Sequence, residues 1–215
     1  MGVYVITIAR GFGSGGKEIG TKLAARLGIP CYERQLLKLA SDKSGLNEVL
    51  FGEIDERLRG NAWAKKLRGI PFHTVAEPQD KNFTSDVNLY NIQAQIIRDL
   101  AETTSCVILG KAADFVLKDR DNVASFYIEA PRAACVRSIV DKMGVSEQEA
   151  HKLIQRTDKY RADYYRYYTG GNYWTNPVNY DLTLNSDRIG RDRCVDLMEY
   201  YVRTKFNLPE GAAEK

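Results

Sequence analysis

Seven residues near the N-terminus, Gly11-Phe12-Gly13-Ser14-Gly15-Gly16-Lys17, have the composition of a phosphate cradle. Glycines let successive backbone N–H groups converge on phosphate oxygens, and the closing lysine brings a positive charge to the terminal phosphates. The ligand that this chemistry fits is a triphosphate of the ATP type, held through Gly11, Gly13, Ser14, Gly15, Gly16 and Lys17. A loop of this kind normally follows its lysine with Ser or Thr, whose hydroxyl ligates magnesium. Here Glu18 stands in that place. Two roles are open to it: taking over the metal, or pointing away as a first-turn helix glutamate favoured by the dipole.

A second concentration of charge lies far along the chain. Lys152, Arg156, Lys159, Arg161 and Arg166 crowd a segment that ends in a tyrosine run and the Gly170-Gly171 loop before Trp174. Phosphoryl transfer needs positioning and neutralisation of charge on the transferred group rather than covalent help. A segment that closes cations over a triphosphate is therefore what a kinase lid should supply. Arg156 and Arg161 are the candidates for that work, while Lys152, Lys159 and Arg166 read as a solvated face. Tyr160, Tyr164, Tyr165, Tyr167 and Tyr168 read as packing rather than base stacking. Arg34, next to Tyr32 and Glu33 after the first crossover, is a candidate for an acceptor phosphate. His73 and His151 have neither metal spacing nor a Ser or Cys partner, and read as structural or surface residues.

These groups need a scaffold, and the hydrophobic pattern describes one. Val3 to Ala9 is a β-branched apolar run that predicts a buried parallel strand feeding the glycine loop. Ile19, Leu23, Ala24 and Leu27 recur at helical spacing, and Gly28 with Pro30 closes that helix. Pro30-Cys31-Tyr32 predicts a short second strand and Arg34 to Ser41 another helix. Residues 45–84 are irregular, with a helix around Leu46 to Leu58 and a mixed stretch carrying Trp63, Pro71, His73 and Pro78. Leu89, Ile92, Ile96, Ile97 and Leu100 trace one helical face, and Ser105 to Leu109 reads as a strand ending at Gly110. Val123 to Ile128 is the next strand. Pro131 opens a helix whose buried stripe is Val136, Ile139, Val140 and Met143, and Gly144 ends it. Ser146 and Glu149 form a capping box for a helix running past Ile154. Tyr180 to Asn185 predicts the last strand. A final helix from about Gly190 to Phe206 buries Cys194, Leu197, Met198, Tyr201 and Val202. Strands alternating with helices imply right-handed crossovers onto a mostly parallel, doubly wound sheet of four or five strands.

Composition limits what such a scaffold can serve. The chain has 215 residues, enough for one domain over 1–208 with a frayed tail at 209–215. Basic and acidic side chains nearly balance, 31 against 28, which speaks against nucleic acid as a partner. No window approaches the roughly 20 apolar residues of a membrane helix, and no secretory signal or lipidation pattern opens the chain. A cytoplasmic protein with no membrane partner is the expectation, and nothing in the sequence speaks to oligomeric state. Cys31, Cys106, Cys135 and Cys194 are far apart in apolar stretches and read as reduced core thiols.

Taken together and in order, three stretches resemble the cytidylate kinase-like family. They are Gly11 to Gly20, Val107-Ile108-Leu109-Gly110-Lys111-Ala112-Ala113-Asp114, and Asp158-Lys159-Tyr160-Arg161 followed by Asn179 to Asn185. The resemblance spans nearly the whole chain. It implies a P-loop three-layer α/β/α core, a monophosphate-binding lobe at about 33–85 and a lid at about 150–176. It also implies ATP with Mg2+ as donor and a small-molecule nucleotide as acceptor. By position, Lys17 and the loop glycines would hold the ATP phosphates; with Arg156 and Arg161, the lid candidates read from charge alone, Lys17 makes up the expected catalytic set. Lys111 stands where cytidylate kinases carry an arginine followed by aspartate, and here the pair reads Lys-Ala. Lysine keeps the charge but loses bidentate phosphate recognition, and Asp114 would partly replace the acid. Asp158 and Arg161 resemble the Asp-x-x-Arg with which those kinases hold the acceptor. Two functions follow from this: phosphoryl transfer to a nucleotide-like acceptor held by Arg34, Lys111, Asp114, Asp158 and Arg161, or nucleotide binding without useful transfer.

Overall fold

The computed structural model describes residues 2–51, 75–76, 78–81 and 83–209. The helix expected around Leu46 to Leu58 falls largely outside them, as do Trp63, Pro71 and His73.

The apolar run after Val3 forms β1 (Val5–Arg10), buried from Val5 to Ala9. A strand apolar on both faces needs cover on both, and it receives it. β1 lies at the centre of a five-stranded sheet of order β2-β3-β1-β4-β5, with β2 (Cys31–Tyr32), β3 (Cys106–Leu109), β4 (Val123–Glu129) and β5 (Leu182–Asn185). Every pairing is parallel, with Ile8 opposite Leu109 on one side and Phe126 on the other.

On one face, Ile6 and Ile8 pack with Ile19, Leu23 and Ala24 of α1 (Gly16–Leu27) and with Cys194, Val195, Met198 and Val202 of α8 (Arg191–Lys205). On the other face, Val5, Cys106 and Ile108 pack with Leu36 of α2 (Gln35–Ser44) and with Leu89, Ile92, Ile96 and Ile97 of α3 (Asp86–Thr103). The result is a helix–sheet–helix sandwich. The short α4 (Ala113–Val116) follows β3, and α5 (Arg132–Met143) follows β4. α6 (Glu147–Tyr168) then runs to the turn that leads to β5, and α7 (Ser186–Ile189) joins β5 to α8.

Helix ends obey the sequence signals. Gly28 and Gly144 close α1 and α5 in the left-handed conformation, and the Ser146 side chain accepts the Glu149 N–H at the start of α6. The four cysteine sulfurs are unpaired; Cys31 is half-buried and the others are buried.

Two stripe assignments are corrected. Met143 is 52% exposed because it ends α5 beyond the last packed turn, and Leu197 is 45% exposed. The buried stripe of α8 is centred on Val195 and Met198, which turns Leu197 outward.

A third cluster shapes the site. Tyr164, Tyr165 and Tyr168 on the last turns of α6 pack with Tyr90, with Tyr127 of β4, and with Trp174 and Tyr180. Tyr90 and Tyr168 stack with centroids 3.8 Å apart, and Tyr127 meets Trp174 edge-on at 5.6 Å. Tyr164, Tyr165 and Tyr168 of the tyrosine run are thus packed in the core, and the aromatic end of α6 is anchored in the body of the protein.

Candidate active site

β1 delivers the chain at the carboxyl edge of the sheet, where open α/β sheets bind their ligands. The glycine loop there turns straight into α1, whose N-cap is Gly15 at φ 82° with no side-chain cap. The first-turn N–H groups of α1 therefore face outward from a dipole that favours anions. The loop is tightly fitted from outside. A Cβ on Gly13 (φ 91°) would come within 2.8 Å of the Cys135 carbonyl oxygen, and one on Gly15 within 2.9 Å of Arg191 Cδ. Ser14 is buried and donates its hydroxyl to the Gly11 carbonyl at 2.9 Å, so it braces the loop. Ser186 Oγ donates to the Ser14 carbonyl at 2.6 Å and locks the loop to α7.

Lys17 is 69% exposed, and its Nζ lies 2.6 Å from Glu33 Oε2. The other oxygen of Glu33 accepts from Arg10 Nη2 at 2.7 Å. Burial pushes the Glu33 carboxyl up, but the Lys17 and Arg10 cations outweigh it and hold the group below the usual carboxylate range. Glu18, one residue on, meets Arg191 at 2.7 Å, Lys22 at 3.3 Å and Lys142 at 3.5 Å. Burial raises its pKa, but those partners lower it further, leaving it below the usual range. Its carboxylate is thus paired with three cations.

Beside the loop lies a cavity of about 770 Å3, within the ~300–1,000 Å3 span of small-molecule sites. Four of the five acceptor residues expected from sequence line it together: Arg34, Lys111, Asp114 and Arg161. Lys111 is held at φ 61° and Ala112 at φ 51°, after Gly110 at φ 75°. Left-handed backbone costs an L-residue roughly 1–2 kcal/mol, and here it turns the chain sharply off β3 at the cavity wall. Lys111 Nζ sits 6.0 Å from the Tyr164 ring centroid. Asp114 is buried and accepts the Tyr165 hydroxyl at 2.6 Å. Burial pushes its pKa to about 6 despite that bond.

The fifth residue, Asp158, faces the glycine loop instead. Its Oδ1 accepts the Phe12 N–H at 2.8 Å, so a carboxylate occupies one backbone donor of the loop. Burial pushes its pKa to about 6 as well. Arg161, one turn further along α6, donates to the Arg10 carbonyl at 2.7 Å and lies over the Phe12 ring at 5.7 Å. Burial lowers its pKa to about 10, which leaves it charged at neutral pH. Arg156 is exposed on another face of α6 and does not line the cavity.

Arg10 has no place in the motif reading, yet it holds the site together. Its guanidinium occupies the space over Gly110 where a Cβ would stand, its stem lies against Gly16, and it binds Glu33. The signal available was a charge ending an otherwise apolar strand at the carboxyl edge, immediately before the first loop glycine.

Fold and loop together define a P-loop kinase architecture. A structure of an uncharacterized protein from Eubacterium ventriosum superposes with a TM-score of 0.68 at 24% identity, covering 94% of this chain and 99% of that one. Shikimate kinase from Bacteroides thetaiotaomicron follows at a TM-score of 0.51 and 14% identity, covering 93% and 98%. The family model of the cytidylate kinase-like family matches residues 5–188, and the chain belongs to that family. No curated protein matches it. No helix among the described residues is long and apolar enough to cross a membrane.

Proposed function

We propose that the protein transfers the γ-phosphoryl group of ATP to a nucleoside monophosphate, cytidylate-like, or to a related small anionic acceptor. The observation that supports this most is one cavity lined by Arg10, the residue that precedes the glycine loop, together with Arg34, Lys111 and Arg161. In the transfer, an acceptor oxygen forms the new bond to the γ-phosphorus while the bond to the β,γ-bridging oxygen breaks and ADP leaves. Charge builds on the transferred group and on the leaving oxygen, so fixed cations on both sides lower the barrier without covalent participation. Lys17 would serve the donor side, and Arg161 stands between loop and cavity.

The chain's own features fit a triphosphate. The loop glycines let the backbone take positive φ at Gly13 and Gly15 while packing against Cys135 and Arg191, and the Asp158 carboxylate already sits as an anion on the Phe12 amide. The fit to magnesium through Glu18 fails, since three cations surround that carboxylate. Among the described residues no cluster of three His, Cys, Asp or Glu forms a metal site, and no residue is assigned to the metal.

The test is thermal melting with magnesium and a panel of nucleotides, because a ligand that binds only the folded state raises the midpoint by mass action. A rise with ATP that one monophosphate enlarges identifies the acceptor. A rise with ATP but unchanged ATP after incubation with every monophosphate would turn the reading into a nucleotide-binding module.

A further inference from the structure

We propose that Glu33 is a displaceable counter-ion for Lys17: it holds the lysine in the ligand-free site and yields it to an incoming triphosphate, thereby setting donor affinity. This rests on the reading of Gly11 to Lys17 as the donor site.

The two halves of the Glu33 bridge are unequal. Arg10 is fixed, with only 12% of its side chain exposed, its guanidinium over Gly110 and its carbonyl bound by Arg161. Glu33 is itself located, because its N–H donates to Gln35 Oε1 at 3.1 Å and its side chain is 25% exposed. Lys17, by contrast, is a long and largely exposed side chain whose ammonium reaches Glu33 at 2.6 Å. Rotation of the lysine stem alone breaks that contact, whereas removing Arg10 would disturb the loop and the turn at Gly110. A triphosphate therefore takes Lys17 and leaves Glu33 on Arg10.

The exchange has a defined cost. Terminal phosphates must replace a contact that Lys17 already makes, so the net gain from that lysine is smaller than its charge suggests. Removing the carboxylate charge while keeping its shape should release Lys17 and tighten donor binding. A role limited to supporting the fold would have the opposite effect. Glu33 thus acts through Lys17 as a positioning residue. The sequence has Glu33 beside Arg34, the acceptor candidate, but the structure turns its carboxylate to the donor lysine as well.

The experiment is calorimetric titration of a non-hydrolysable ATP analogue with magnesium into the full chain, comparing wild type, Glu33→Gln, Lys17→Ala and the double variant. Glu33→Gln is expected to tighten binding about two- to fivefold, the scale of one partly exposed ion pair. The gain should vanish when Lys17 is alanine. Glu33→Ala repeats the test should the glutamine variant melt early. Unchanged or weaker binding in both Glu33 variants, at unchanged melting temperature, overturns the proposal. So does a gain that persists without Lys17, since the carboxylate would then act on the ligand directly. Absence of binding by wild type has a different meaning: the donor site itself is misassigned, and the counter-ion role goes with it.

Discussion

Substituting Asp114→Asn tests the energetics of the cavity wall in the absence of any ligand. Asp114 is 6% exposed, and burial raises its pKa from 3.8 to about 6 even though Tyr165 donates to it. Between those two values the folded protein binds the proton more tightly than the unfolded chain does. The stabilisation due to the protonated form is thus full below about 3.8 and is lost as the pH rises through about 6. A shift of two units corresponds to roughly 3 kcal/mol at 1.36 kcal/mol per unit. Of this, about 1–1.5 kcal/mol falls between about pH 5 and about pH 7.5. Asparagine keeps the acceptor for Tyr165 and does not ionise. The stability of Asp114→Asn relative to wild type should therefore improve by that amount on going from about pH 5 to about pH 7.5, seen as a relative rise of about 3–5 °C in melting midpoint. Asp158, also raised to about 6, titrates in both proteins and drops out of the difference. Urea denaturation of the two proteins across that range gives the answer. A difference independent of pH would refute the account of Asp114 as a carboxyl kept partly protonated by burial.

Other perturbations bear on the loop and on α6. Gly15→Ala forces a side chain onto a residue at φ 82° and against Arg191; it should cost about 1–2 kcal/mol in denaturant unfolding and weaken triphosphate binding. A variant as stable as wild type would mean that the loop conformation differs from the one described. Arg161→Ala should lower turnover about 100-fold or more while changing donor affinity little, and Arg161→Lys should recover only part of it, because lysine cannot make the fork to phosphate and the Arg10 carbonyl together. Full activity in the lysine variant would remove the geometric argument.

Much of this architecture is legible in the sequence because local and global signals agree. The β-branched run, the glycines at helix ends and the Ser146 cap each describe a local choice that the sheet then uses. Strand ends differ by one or two residues from the pattern reading, as β1 (Val5–Arg10) does from Val3 to Ala9. The loop and its lysine are legible for the same reason: their chemistry is contiguous. Arg10 and Glu33 are not, since their roles arise from a meeting of residues 23 apart in sequence across the carboxyl edge of the sheet. Nor does spacing distinguish Asp158 from Arg161. Both sit on one stretch of α6, yet one bonds the loop amide and the other lines the cavity. Met143 and Leu197 obey helical spacing, but one ends its helix and the other lies off the stripe centred on Val195 and Met198, which periodicity does not describe.

The central claim, phosphoryl transfer from a triphosphate held by the glycine loop, is tested most directly by following ADP formation from ATP and magnesium with each nucleoside monophosphate, CMP first, for wild type and Lys17→Ala. The account predicts acceptor-dependent ADP release that falls at least about 100-fold in the Lys17→Ala variant, whose melting temperature stays near that of wild type. Equal rates in the two proteins would contradict it.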